Sequence, residues 1–184
     1  MMTINEEAKN NDDIIEVVWK AFDYFPEETW ECVKYIGNIN IKHDLKIKIK
    51  EKIYGAFIFN HLITKIREIK SLLESKNLVL GLTHDPVIAV YHRIEEDRIK
   101  RIVNLVRDYV SRNTGLVSLF EIEAETATKI AAHGLGHNQG LEHHTDPVDL
   151  MYARLLNGNP IKKDGFCIEC KRKLKKRIDS FGRG

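Results

Sequence analysis

Three cysteines in 184 residues are too few, and odd in number, for a disulfide framework. Two of them form Cys167-Ile-Glu-Cys170, a spacing that suits a metal or a reduced redox pair, while Cys32 is left as a lone thiol. No thioredoxin-like strand precedes Cys167, so zinc is the preferred reading of the pair. Long apolar runs are absent too: nothing approaches the roughly 20 residues of a membrane span. The polar opening MMTINEEAKNNDD has no apolar signal core, so a soluble, cytoplasmic protein is expected. An excess of one charge is also missing, because 29 Lys and Arg against 27 Asp and Glu leave +2. That excludes a dominating basic nucleic-acid surface or an acidic tail. The basic run Lys171–Arg177 has no aromatic platform beside it and reads as a solvated helix face. No internal repeat or low-complexity linker divides the chain. Its 43% hydrophobic content suits one compact domain over residues 14–184 behind a disordered tail of residues 1–13, with a monomer expected.

Strands and helices alternate along what is present. Residues 14–19 (IIEVVW) read as a short buried strand, and Pro26-Glu27-Glu28 opens a helix through Cys32, Val33 and Ile36. Residues 46–50 (KIKIK) alternate strictly, which predicts a strand with one wet face. From Ala56 to Glu74 the apolar residues fall at helical spacing. Residues 78–82 and 87–91 read as strands around the turn His84-Asp85-Pro86. A second amphipathic helix is expected from Glu95 to Val110, then a strand over residues 115–122 and a helix over residues 126–139. The fold class is therefore α/β, a small mixed twisted sheet with two to three helices.

The densest chemistry lies in His133-Gly-Leu-Gly-His137-Asn-Gln-Gly140-Leu-Glu-His143. Histidines four apart on a helix project from one face, so two imidazoles can share a metal. Gly140 permits the left-handed turn that ends a helix and brings His143 back as a third nitrogen. A fourth, open position would hold water. Zinc proteases of this kind place a glutamate directly after the first histidine, as the base for that water. Here that position is Gly134. Imidazole also suits nickel, copper and iron, and spacing alone does not rank the metals. The other histidines, His43, His61, His84 and His92, read as ordinary hydrogen-bonded residues.

This pattern, with Met151 eight residues after His143 and Phe166-Cys-x-x-Cys170 beyond, resembles the archaemetzincins, small zinc metallopeptidases of the metzincin clan. Leu80-Gly-Leu-Thr83, Val117-Ser-Leu119 and Lys129-Ile-Ala-Ala-His133 resemble the family locally. The resemblance implies a metzincin-like fold: a zinc helix, a methionine turn and a C-terminal loop region stapled by a second zinc. It implies His133, His137 and His143 as ligands of one zinc, Gly140 as the turning glycine and Met151 as the floor beneath the metal. It further implies Val117, Ser118 and Leu119 as an edge strand that binds extended peptide. For the second zinc the family uses four cysteines. This chain matches them with His144, Asp149, Cys167 and Cys170, a donor set that zinc accepts.

The chief departure is Gly134, where the family's general base is lost. General acid–base catalysis supplies about 10²- to 10⁴-fold, so a zinc-binding protein with impaired peptidase activity is expected, serving as a peptide-binding pseudoprotease. The alternative is an active zinc peptidase with an unrecognised base. Glu142, beside a ligand on a turn, points away from the metal's open face, Glu121, Glu123 and Glu125 read better as a solvated acidic loop, and Asp85, Glu95, Glu96 and Asp97 have no spacing argument in their favour. The helix expected over residues 95–110 is a second departure from the family.

Overall fold

Runs of Val, Ile and Leu that are too short for helices decide where the central strands lie. The computed structural model describes residues 1–30, 32–95 and 98–181. In chain order it contains β1 (Met2–Ile4), α1 (Ala8–Phe22), β2 (Asn38–Ile39), β3 (Leu45–Ile49), β4 (Lys52–Ile58) and α2 (Phe59–Leu72). There follow β5 (Val79–Thr83), β6 (Val87–Glu95), β7 (Arg98–Leu105), β8 (Asp108–Val110), β9 (Thr114–Ser118), α3 (Ala124–Asn138) and α4 (Ile168–Phe181). Five strands form one sheet in the order β2-β1-β5-β9-β8, parallel except for β8, which runs antiparallel to β9. The other four form β3-β4-β6-β7. The α/β class holds, with two sheets rather than one and four helices rather than two or three.

Helices on both faces explain why β5 and β9 are buried at every residue. On one face Leu80, Leu82, Val117 and Leu119 pack with α1 and α3 in a core that also takes in Phe166 and Leu174 of the C-terminal region. On the other face Val79 and Leu116 join Leu62, Ile63 and Ile66 of α2. The period of two along each strand thus feeds two cores. No helix among the described residues is long and apolar enough to cross a membrane.

Four expectations need correction. The supposed tail of residues 1–13 supplies β1, fully buried between β2 and β5, and the first turns of α1. The Met1 ammonium donates to the Lys34 carbonyl at 2.6 Å, and Thr3 Oγ1 donates to Asn38 Oδ1. The polar average of the segment hid three apolar-compatible residues in front of it. Residues 14–19 are helix, because Ile14, Val18 and Ala21 share one buried face despite their β-branched company. The helix expected after Pro26 is a single 3-10 turn over Glu27–Thr29.

The fourth correction matters most for the site. The span expected as a helix from Glu95 to Val110 is the end of β6, then β7 and β8. Ile94 pairs with Ile99 and Tyr91 with Ile102 across an antiparallel hairpin. Ile94 and Ile99 are 77% and 73% exposed, so neither hairpin face is buried and no clean alternation was required of the sequence. Glu96 and Asp97, and Gly182–Gly184 at the end of the chain, lie outside the described residues.

Candidate metal centre

Helix α3 carries His133 and His137 on one face and ends in a turn set by Gly140 at φ +80°. The Leu141 amide donates to the Gly136 carbonyl and the Gly140 amide to that of His137, the paired bonds of a glycine-ended helix. His143 is thereby folded back over the helix. The three Nε2 atoms stand 3.1, 3.1 and 3.0 Å apart. His133 is fully buried and His143 is exposed, so the cluster opens on one side.

Proton positions follow from the neighbours. A carbonyl can only accept, so His133 Nδ1 donates to Leu150 O at 2.7 Å and His137 Nδ1 to Leu141 O at 2.9 Å. In the neutral rings this leaves both Nε2 atoms as lone-pair acceptors aimed at one another, an arrangement that no hydrogen bond between them resolves. Burial pushes the His133 pKa down to about 4 and lowers that of His137, so protonation does not resolve it either. A shared cation does. Zinc bonds imidazole nitrogen at about 2.0–2.1 Å, and a triangle of this size has all its corners within reach of one ion. The carbonyls that fix the tautomers are the outer partners such ligands ordinarily have.

The second donor cluster sits in the loop region. His144 Nε2 lies 3.2 Å from Cys170 Sγ, 3.7 Å from Cys167 Sγ and 3.5 Å from Asp149 Oδ2. All four donor atoms fall within 4.8 Å of one another. Burial would raise the Asp149 pKa, but hydrogen bonds from the Cys167 and Met151 amides hold it low. Burial, with Asp149 next to it, raises that of the Cys170 thiol. A histidine, a carboxylate and two sulfurs suit zinc with no open position.

The two clusters share a spine. His144 and Met151 are joined backbone to backbone, Asp149 Oδ1 caps the Met151 amide, and the Leu150 carbonyl holds His133. Met151 passes under α3 at Gly136, where an added Cβ would stand 2.7 Å from its sulfur and 3.4 Å from Phe166. That close approach explains one of the two helix glycines. At the other, Gly134, a Cβ would meet Val110 Cγ2 at 3.0 Å and Asp108 Oδ2 at 3.1 Å, both from β8.

Asp108 is the residue that sequence reasoning missed. Its Oδ2 is buried with no hydrogen-bond partner among the described residues and lies 3.9 Å from His133 Nε2. Burial pushes its pKa up to about 7. The signal was hidden because its strand lay in the span read as helix. The acids that were weighed lie elsewhere: Asp85 pairs with His43, Glu125 with Lys129, and Glu95 with Arg93 and Lys100. Glu121, Glu123 and Glu142 are exposed and join neither donor cluster. His61 meets Asp44 and His84 meets Glu6, and His92 is exposed.

The expected peptide-binding edge also moves. Val117 is paired with Leu82 on one side and Asp108 on the other, and the amides of Ser118 and Leu119 donate to the Arg107 and Thr83 carbonyls. These three residues are interior and buried. One edge of this sheet is β2 and the other, beside α3, is β8. Its register turns Tyr109 toward β9 and leaves the backbone polar groups of Asp108 and Val110 directed outward.

No family model matches the sequence, and no curated protein does. Solved structures do match the fold. An archaemetzincin from Methanopyrus kandleri superposes with a TM-score of 0.60 at 20% identity, covering 97% of this chain and 93% of that one. A zinc-dependent peptidase from Methanocorpusculum labreanum gives 0.58 at 13% identity, with 94% and 98% covered. An archaemetzincin from Archaeoglobus fulgidus, solved with malonate, gives 0.54 at 16%, with 94% and 96% covered. The chain has an archaemetzincin-like fold across nearly its whole length. The strands β7 and β8 also remove the departure expected over residues 95–110.

Proposed function

We propose that this chain is a zinc-dependent hydrolase of peptide bonds, with one zinc on His133, His137 and His143 and a second on His144, Asp149, Cys167 and Cys170. The observation that carries this reading is the convergence of three imidazole Nε2 atoms whose Nδ1 protons are, for the two helix residues, committed to carbonyls. Bound there, zinc supplies Lewis-acid polarisation and an acidified water at neutral pH. The chain supplies the rest. Strand β8, beside α3 and at the sheet edge, offers outward backbone groups along which an extended peptide can add as a strand. The Leu150 carbonyl holds His133 and the Leu141 carbonyl holds His137, while Met151 packs against α3 at Gly136.

Gly134 supports the competing reading, a peptide binder without cleavage, and the buried carboxylate of Asp108 weighs against it. The test is metal content and turnover on the same full-length preparation. The wild type should hold about two zinc ions per chain and cleave members of a broad peptide library, while His137→Ala keeps about one zinc and loses cleavage. A wild type that carries both zincs, binds peptides and cleaves none would leave the binding scaffold as the function.

A further inference from the structure

We infer that Asp108 takes the place of the missing glutamate, so that the base of this site is delivered from the edge strand instead of the zinc helix. This rests on the hydrolase reading above. Gly134 and Asp108 are complementary: the glycine opens a space on α3, and the aspartate side chain from β8 fills it, with its Cβ 3.3 Å and its Oδ2 3.1 Å from where a residue-134 Cβ would stand. A carboxylate thus occupies the volume into which a glutamate at 134 would extend. The oxygen concerned is buried, accepts no hydrogen bond from the described residues and lies 3.9 Å from His133 Nε2.

An unsatisfied buried carboxylate oxygen destabilises a fold, so its presence needs a reason beyond packing. The three histidine nitrogens form a group within 4.8 Å that does not include Asp108, so its carboxylate stands beside the donor set and is not a fourth member of it. That is the relation a base needs, close to water on the metal without displacing it. The same residue's backbone polar groups face outward along the sheet edge proposed for the substrate, so the carboxylate and the proposed peptide edge belong to one residue.

In the step assigned to it, Asp108 Oδ2 takes a proton from water as the water oxygen bonds to the peptide carbonyl carbon. The carbon–nitrogen bond then breaks and the proton passes from Asp108 to the departing amine. One water is consumed and the carboxylate is regenerated.

The swap is testable in three full-length zinc-loaded variants: Asp108→Asn, Asp108→Ala, and Asp108→Ala combined with Gly134→Glu. Asp108→Asn should retain both zincs against a competing chelator within about twofold of wild type, melt cooperatively, and lose about 10²- to 10⁴-fold in kcat. The double variant should recover at least about tenfold over Asp108→Ala, because it returns a carboxylate to the same volume from the other element. Asp108→Asn turnover close to wild type would overturn the assignment while leaving the hydrolase reading intact. Loss of the first zinc in Asp108→Asn would overturn it by making Asp108 a ligand. An inactive wild type would remove both readings together.

Discussion

The two donor clusters meet on the segment from His143 to Met151 and differ in whether they are closed. The histidine cluster offers three donors, has its deepest ligand fully buried and its last one exposed, and so keeps one side open. The loop cluster offers four donors close to one another, with Asp149 accepting from two amides. Three donors and an opening suit chemistry, and four donors with none suit a staple. On the proposed reading a staple there would also set the chemistry, because the Asp149–Met151 segment carries both the carbonyl that orients His133 and the sulfur beneath α3.

The largest effect should come from breaking the closed cluster. Cys170→Ser removes a sulfur donor and leaves Asp149 and His144 facing a weaker site. Structural zinc contributes on the order of 10 kcal/mol in small domains, and the long segment between His143 and Phe166 has little regular structure beyond a 3-10 turn at Ala153–Asn157. The variant should lose both zincs and its cooperative melt, whereas His137→Ala should lose one zinc and keep the melt. Metal analysis with calorimetry distinguishes them. A Cys170→Ser protein that holds the first zinc and unfolds like wild type would mean that the clusters are independent.

A second, smaller effect lies inside the open cluster, in protein from which a mild chelator has taken the more exposed zinc. Burial lowers the His133 pKa from 6.5 to about 4, so as the pH falls below 6.5 the unfolded chain gains a proton that the folded one refuses, and stability drops. Burial raises the Asp108 pKa from 3.8 to about 7, so as the pH rises from 4 toward 7 the unfolded chain has lost a proton that the folded one keeps, and stability again drops. Between pH 5.5 and 7 the two run against each other. Asp108→Asn leaves His133 and His137, whose lowered pKa values act in the same direction, so its stability should rise with pH more steeply than the wild type's. The divergence is about 2 kcal/mol across the window in urea unfolding. Parallel curves would show that the buried pair does not titrate in this way.

The same contrast marks what could be read from the sequence. The histidine triad and the Cys167–Cys170 pair were legible because their spacing is local: four apart along a helix, a glycine turn, and cysteines three apart, whereas His144 and Asp149 followed only from the resemblance to the archaemetzincins. Buried strands β5 and β9 were legible as short Val- and Leu-containing runs. The other half of the open site was not. Asp108 reaches Gly134 across 26 positions of sequence through a three-residue strand, and no periodicity survives over so short an element. The exposed β6–β7 hairpin added apolar residues at misleading helical intervals, with no buried face to impose a period of two. β1 was lost for the same reason of length, and with it the correct position of the sheet edge was harder to place.

The finest test compares the two glycines of α3. Each substitution to alanine gains about 1 kcal/mol of helix propensity, so the sign is set by what the new methyl meets. At Gly136 it meets Met151 sulfur at 2.7 Å, with Phe166 and Leu141 close behind, all three fully buried or nearly so. Overpacking of that kind costs about 1–3 kcal/mol, enough to cancel the helix gain and lower the melting temperature. At Gly134 the nearest atoms are side-chain termini of Val110 and Asp108 at 3.0 and 3.1 Å, which can give by a few tenths of an ångström. Gly134→Ala should therefore be close to neutral in stability yet displace the Asp108 carboxylate, so that turnover falls while both zincs stay. Gly136→Ala should do the reverse, lowering stability through the shared floor of both clusters with a smaller change in turnover per folded molecule. Thermal melts and kcat on the two variants read the difference directly, and equal losses of both quantities in both variants would mean that the helix, and not the space beside each glycine, governs the site.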